Sequence, residues 1–254
     1  MVLSELIQRS PIRIFEQSIN GGLKPGEIGV IASPNGVGKT SVLVQLALDK
    51  LLQGKKVIHV SFTQHNQYVP LWYEDIFTEF TNKKNLENAA EIKNDLVKNR
   101  VLMNFSQDGV TKEQIIRSLR AMIIEGGFRA DSIIIDGFDF FRLTNDGSQA
   151  EAGKESINKV KDFATELGVS VWYSCSVKDD GANPLRLQYD KENIPVVLSD
   201  YTDYIDVVIV LQPKPDHVEL SISKDRNSVI SKICSANQSA AIKLDPKTLL
   251  ILEA

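Results

Sequence analysis

Residues 33–40 read SPNGVGKT. They sit between an apolar run, Ile28-Gly-Val-Ile-Ala32, and a segment from Lys39 to Leu52 in which Val42, Leu43, Leu46 and Leu51 recur at helical spacing. A strand that turns through two glycines into a helix is the strongest constraint on how this chain folds. Gly36 and Gly38 let backbone N–H groups point inward around an anion. Lys39 places an ammonium against the β- and γ-phosphates of a nucleotide, and Thr40 offers a hydroxyl to magnesium. The helix that begins there aims its positive end at the same charge. The stretch matches GxxxxGKT except that Ser33 holds the first glycine position, where a small residue fits with modest strain. A plain glycine turn capped by Lys-Thr is the alternative, and a strand and a helix in register argue against it. The expected ligands are ATP and Mg2+, held by Ser33, Pro34, Asn35, Gly36, Val37, Gly38, Lys39, Thr40 and Ser41.

The rest of the chain supplies a sheet for this loop. Strands are expected at 55–62, 100–105, 132–136 and 169–175. Helical segments are expected over 70–98, from the Thr111/Gln114 capping box to about Glu125, and over about 151–167. Strands alternating with helices imply a mainly parallel sheet with helices on both faces. The run Ile133-Ile134-Ile135 reads as a strand buried on both faces, and Asp136 closes it. A carboxylate leaving such a strand two strand–helix units after the loop is the expected second magnesium residue; Asp139 is a weaker one. The tail differs: 206–211, 217–223, 240–244 and 249–253 are strands joined by short turns, predicting an antiparallel extension at one sheet edge. Residues 1–20, broken by Pro11, read as a helix followed by an extended lead-in. The whole of 1–254 is expected to be a single domain.

Composition narrows the function classes. The 254 residues are 43% hydrophobic and 24% charged, with a formal charge of −4, so nothing global favours nucleic acid. Cys175 and Cys234 form no CxxC or Cys/His cluster, and buried reduced thiols are expected. No apolar run is long enough to span a bilayer, and Glu5, Arg9 and Arg13 interrupt any signal peptide; a cytoplasmic protein is expected.

The stretch GGLKPGEIGVIASPNGVGKTSVLVQLA resembles the RecA-like branch of phosphate-loop ATPases, especially the KaiC type and the DnaB-type helicase core, and the likeness covers about 15–254. It implies a RecA-like α/β fold and a homo-oligomer, ring or filament. A second match is SKDRNS (223–228), similar to the Lys-x-Arg element such subunits push into a neighbour's site. On that resemblance Lys224 and Arg226 act in trans on the γ-phosphate, with Arg226 as the finger; a solvated basic pair on a hairpin edge is the other reading.

One departure bears on turnover. In this branch the strand after the loop helix ends in a glutamate that polarises the attacking water. Here it ends VSFTQHN, with Thr63 and Gln64 at those positions. Gln64 can orient a water but cannot take its proton. Hydrolysis is expected to be at most slow, with His65 or Asp139 as substitutes if it is not.

In ring-forming relatives the loops after Asp136 and after the 169–175 strand grip DNA. Here 143–155 carries Asp146, Glu151 and Glu155 against Lys154. The loop 178–200 carries Asp179, Asp180, Asp190, Glu192 and Asp200 against Lys178, Arg186 and Lys191. Both are net negative, which opposes phosphate backbones. Tyr189 is the one candidate for stacking on a base, and plain packing is its commoner use. The expectation is a self-assembling regulatory ATPase acting on a protein partner, with little affinity for nucleic acid and no membrane association. The alternative is a DNA-dependent ATPase, a helicase or recombinase of the DnaB or RecA kind; a purely structural subunit is the third reading.

Overall fold

The computed structural model describes residues 11–62, 68–84, 88–106, 110–137, 147–177, 187–226, 228–229, 242–245, 247–248 and 250–252. In chain order these form α1 (Pro11–Ser18), β1 (Ile28–Ser33), α2 (Lys39–Leu52), β2 (Val57–Ser61), α3 (Tyr68–Lys84) and α4 (Ala89–Lys98). Then come β3 (Arg100–Asn104), α5 (Lys112–Arg120, continued by a π turn over Ala121–Glu125), β4 (Ser132–Asp136), α6 (Gly147–Leu167) and β5 (Ser170–Ser176). A 3-10 turn (Val196–Tyr201) leads into β6 (Val207–Pro213), β7 (Val218–Asp225), β8 (Ser228–Val229), β9 (Ile242–Leu244) and β10 (Ile251–Leu252).

Among the described residues ten strands join one sheet in the order β10-β9-β7-β6-β1-β5-β4-β2-β3, with β8 off this path and paired to β7. From β6 to β3 every pairing is parallel; β7, β8, β9 and β10 are antiparallel. The mixed α/β class, the parallel centre and the antiparallel C-terminal extension are as the sequence predicts. The central strands β1, β2 and β4 are buried along their whole length, which is why they read as continuous apolar runs. Alternate strand residues face two cores. Val30, Ile58, Ile133 and Tyr173 pack on the α5 and α6 side, and Ile31, Val57, Ile134 and Trp172 on the α1 to α4 side.

Local chemistry sets the helix boundaries. Thr111 and Gln114 make the reciprocal capping box, with Oγ1 accepting Gln114 N–H at 3.2 Å and Gln114 Oε1 accepting Thr111 N–H at 2.8 Å. Three expectations need correction. The stretch after Pro11, expected to be an extended lead-in, is instead the helix α1, which a proline can open because its fixed φ and missing N–H suit a first helical position; Ile12, Phe15 and Ile19 form its buried face. The stretch expected to be mixed and helical over 70–98 divides into two helices, α3 and α4. And α6 begins at Gly147, so most of the supposed 143–155 loop is helix.

Candidate functional site

β1 is the central strand on which the site is built, paired on one side with β5 and on the other with β6. It delivers Ser33 fully buried to the carboxyl edge of the sheet. The chain then turns through Gly36 (φ 79) and Gly38 (φ 113) into α2. Both angles lie in the left-handed region that a Cβ disfavours, so the two glycines are required by conformation. Ser33 is not among the residues with positive φ, so a serine there carries no left-handed strain. Its hydroxyl donates to Pro34 O at 2.9 Å.

Gly38 caps α2 without any side-chain hydrogen bond, which leaves the helix start free to bind an anion. Lys39 Nζ folds back over the loop, 3.0 Å from Pro34 O, 3.2 Å from Ser33 O and 3.4 Å from Ser33 Oγ. Burial pushes the Lys39 ammonium below its ordinary pKa, offset in part by Cys175 and Asp136. A half-buried cation that bonds, among the described residues, to neutral oxygens gains from any phosphate that enters the loop.

Asp136 closes β4 at 4% exposure. β5 lies between β1 and β4, yet Thr40 Oγ1 donates to Asp136 Oδ2 at 2.7 Å. The hydroxyl and the carboxylate that the sequence singles out separately, 96 positions apart, therefore meet. Both are hard oxygen ligands, the donor type magnesium takes, so this pair fits the cation. Among the described residues no group of three His, Cys, Asp or Glu side chains is placed to hold a metal.

Two serines on β5, the strand between, were not foreseen. Ser176 Oγ donates to Asn35 Oδ1 of the loop at 2.8 Å, and Ser174 Oγ accepts Gly137 N–H at 2.8 Å just past Asp136. Together they tie both halves of the site to the strand separating them. Their only sequence signal is the replacement of apolar residues by hydroxyls near the end of a buried strand. On β2, His59 lies fully buried with Nδ1 3.1 Å from the Tyr73 hydroxyl. Burial holds its imidazole down to about 4, so it is neutral at pH 7 and serves packing. The Arg100 guanidinium stacks 4.1 Å from the Tyr73 ring centroid.

Of the remaining candidates, the described ones, Arg226 and Lys224, bond elsewhere in the chain. Thr63, Gln64, His65, Asp139 and Cys234 lie outside the described residues, as do 138–146 and 178–186. Arg226 follows the end of β7, opposite the start of β1 and thus at the far end of β1 from the loop. All five guanidinium donors are engaged within the chain. Nε and Nη2 grip Glu27 at 2.9 and 2.8 Å, Nη2 also reaches Gly22 O at 2.8 Å, and Nη1 binds Ile19 O at 3.1 Å and the Asp225 carboxylate. Lys224 Nζ donates to the carbonyls of Thr202 and Ile205. Tyr189 is packed, its hydroxyl accepting from Gln212 Nε2 at 2.8 Å, and Asp190 organises its own turn through Glu192 N, Ile194 N and Ser199 Oγ. Cys175 is buried in the sheet, in no disulfide among the described residues. No helix among the described residues is long and apolar enough to cross a membrane.

Comparison with known proteins gives one finding. A family model described as an AAA domain matches residues 3–180, more than half of the chain and all of the elements from α1 to β5. No curated protein matches.

Proposed function

The chain belongs to this AAA-domain family of P-loop ATPases, and from that premise we propose that it binds Mg-ATP at 33–41 and works as a slow, regulatory nucleotide-dependent subunit. The observation that carries the reading is the 2.7 Å contact between Thr40 and Asp136. It joins the first turn of the loop helix to a carboxylate two strands away, an arrangement with little use in a mere glycine turn. Lys39, the uncapped start of α2 and the amides turned inward by Gly36 and Gly38 would hold the β- and γ-phosphates; Thr40 and Asp136 would hold the magnesium, whose charge offsets that of the phosphates. Holding nucleotide is thus provided for. Turnover needs in addition a proton acceptor for the attacking water, and Thr63-Gln64 offer no carboxylate.

The regulatory role, the cytoplasmic setting, a protein partner and assembly into a ring or filament belong to the same proposal. Likeness to KaiC-type proteins and the acid excess of the 178–200 segment support it. The bonds of Arg226 favour a clamp within the free subunit; acting on a neighbour would require exchanging all five. Asp136→Asn tests the reading directly. Affinity for ATP measured in EDTA should be nearly unchanged, while the gain on adding Mg2+ should fall by about tenfold or more, the size of losing one charge-assisted contact. An undiminished magnesium effect would remove Asp136 from the site.

A further inference from the structure

One buried side chain links the phosphate-loop helix to the far edge of the sheet. Gln45, on α2, is 7% exposed. Its Nε2 donates to Ser41 O and to Ser41 Oγ, each at 3.2 Å. Its Oε1 accepts the backbone N–H of Ile251 at 2.8 Å, across 206 positions of chain. Ile251 belongs to β10, the two-residue strand at the end of the antiparallel extension, which among the described residues pairs with β9. Three strands stand between β10 and β1 in the sheet order. β10 nevertheless reaches α2 because the extension curls over that face, where it also meets α1.

An outer-edge N–H of a terminal strand would otherwise go to water or to another chain. Here a carboxamide takes it, and the opposite end of the same carboxamide holds Ser41. Ser41 is the residue after Thr40, whose hydroxyl is on Asp136. A two-residue strand has little pairing energy of its own, so its docking depends on this bond and on the burial of Ile251. The two ends of the link therefore bias one another.

We infer that Gln45 is a positioning residue through which docking of the C-terminal strand β10 sets the phosphate-binding turn of α2, so that nucleotide binding and β10 docking stabilise each other. The inference rests on the nucleotide reading above, and reciprocity between the two events follows from linkage.

The test uses the full chain, a non-hydrolysable Mg-ATP analogue, calorimetry and amide hydrogen exchange. In the wild type, saturating analogue should slow exchange at the Ile251 amide about fivefold or more, the lower end of a site-to-site coupling. Gln45→Met, which keeps length and apolar volume but removes donor and acceptor, should abolish that response and weaken the analogue by about the same factor. Exchange at Ile209 in β6 should stay as in the wild type, showing that the variant is folded. If calorimetry finds no binding to the wild type, the nucleotide reading falls and takes this inference with it. If the analogue binds but Ile251 exchange is unmoved in the wild type, or moves equally in Gln45→Met, the inference alone is overturned. The wild-type arm decides the matter even if the variant does not fold.

Discussion

Replacing Arg226 by alanine separates a clamp within the subunit from a finger offered to a neighbour. The arginine side chain is 20% exposed, its partner Glu27 16% and Asp225 6%. Its fork on Glu27 is bidentate, and its other donors satisfy two backbone carbonyls of the α1–β1 turn. Removing one member of a buried, hydrogen-bonded ion pair costs about 3–5 kcal/mol, because the carboxylates left behind are desolvated without compensation. A fifth of the guanidinium meets water, and Asp225 keeps its 2.5 Å bond from Asn20 Nδ2, so the loss should be about 2–4 kcal/mol. The left-handed backbone of Arg226 (φ 56) persists in alanine and cancels from the comparison. At roughly 2–4 °C per kcal/mol for a chain of this size, Tm should fall by about 4–16 °C. Urea unfolding of the nucleotide-free protein is the assay, repeated over a tenfold range of protein concentration so that assembly does not contribute. Glu27→Gln should lose stability less than additively with it, leaving a coupling above about 1 kcal/mol. A loss under about 1 kcal/mol, with a defect appearing only in ATP-dependent assembly, would refute the clamp and restore the finger.

Asp49, 2% exposed on α2, has its carboxyl pushed up to about 6, first by burial and then by Glu16, against the pull of Arg13 and Lys50. An acid with a higher pKa folded than unfolded costs stability as pH rises from about 4 to about 6, and the whole cost is present above that. Asp49→Asn keeps an oxygen for Gln53 and Arg13. It should be more stable than wild type by about 1–3 kcal/mol at pH 7.5, an advantage that fades below pH 5; parallel stability–pH curves would contradict this. At the strand end, Gln64→Glu or Thr63→Glu should raise the single-turnover rate, by up to about 10²–10⁴-fold if general-base assistance is all that is missing, without tightening ATP. A rapid wild type whose rate ignores Gln64→Ala would move the base to His65 or Asp139.

What was legible in the sequence had a residue type at a fixed offset. Gly36, Gly38, Lys39 and Thr40 are spaced by the shape of a phosphate, and Asp136 was visible because it ends a run of three isoleucines. The capping box of α5 belongs to the same class. The Thr40–Asp136 contact itself could only be expected, since the sheet order decides whether two strand ends meet. Ser174 and Ser176 escaped notice because a hydroxyl on a buried strand has no spacing rule. Apart from Asp225, the partners of Arg226 are about 200 positions away, and a basic pair after a strand looks alike whether it turns outward or back onto Glu27. The stretch after Pro11 was read as extended because proline ends a helix from within, yet it also starts one from its first position. The link from Gln45 to Ile251 joins a helix to the opposite end of the chain, and no periodicity announces it.

The central claim is that 33–41 is a nucleotide site built around the half-buried Lys39 ammonium. Titration of the wild type and of Lys39→Ala with Mg-ATP by calorimetry tests it most directly. Lys39 contacts only loop oxygens and is not part of either core, so the variant should stay folded. The account predicts saturable binding of one Mg-ATP per chain in the wild type, weakened in Lys39→Ala by about tenfold to a hundredfold, the worth of a charge-assisted phosphate contact. Equal affinity in the two proteins, or no binding to the wild type in the presence of magnesium, would contradict it.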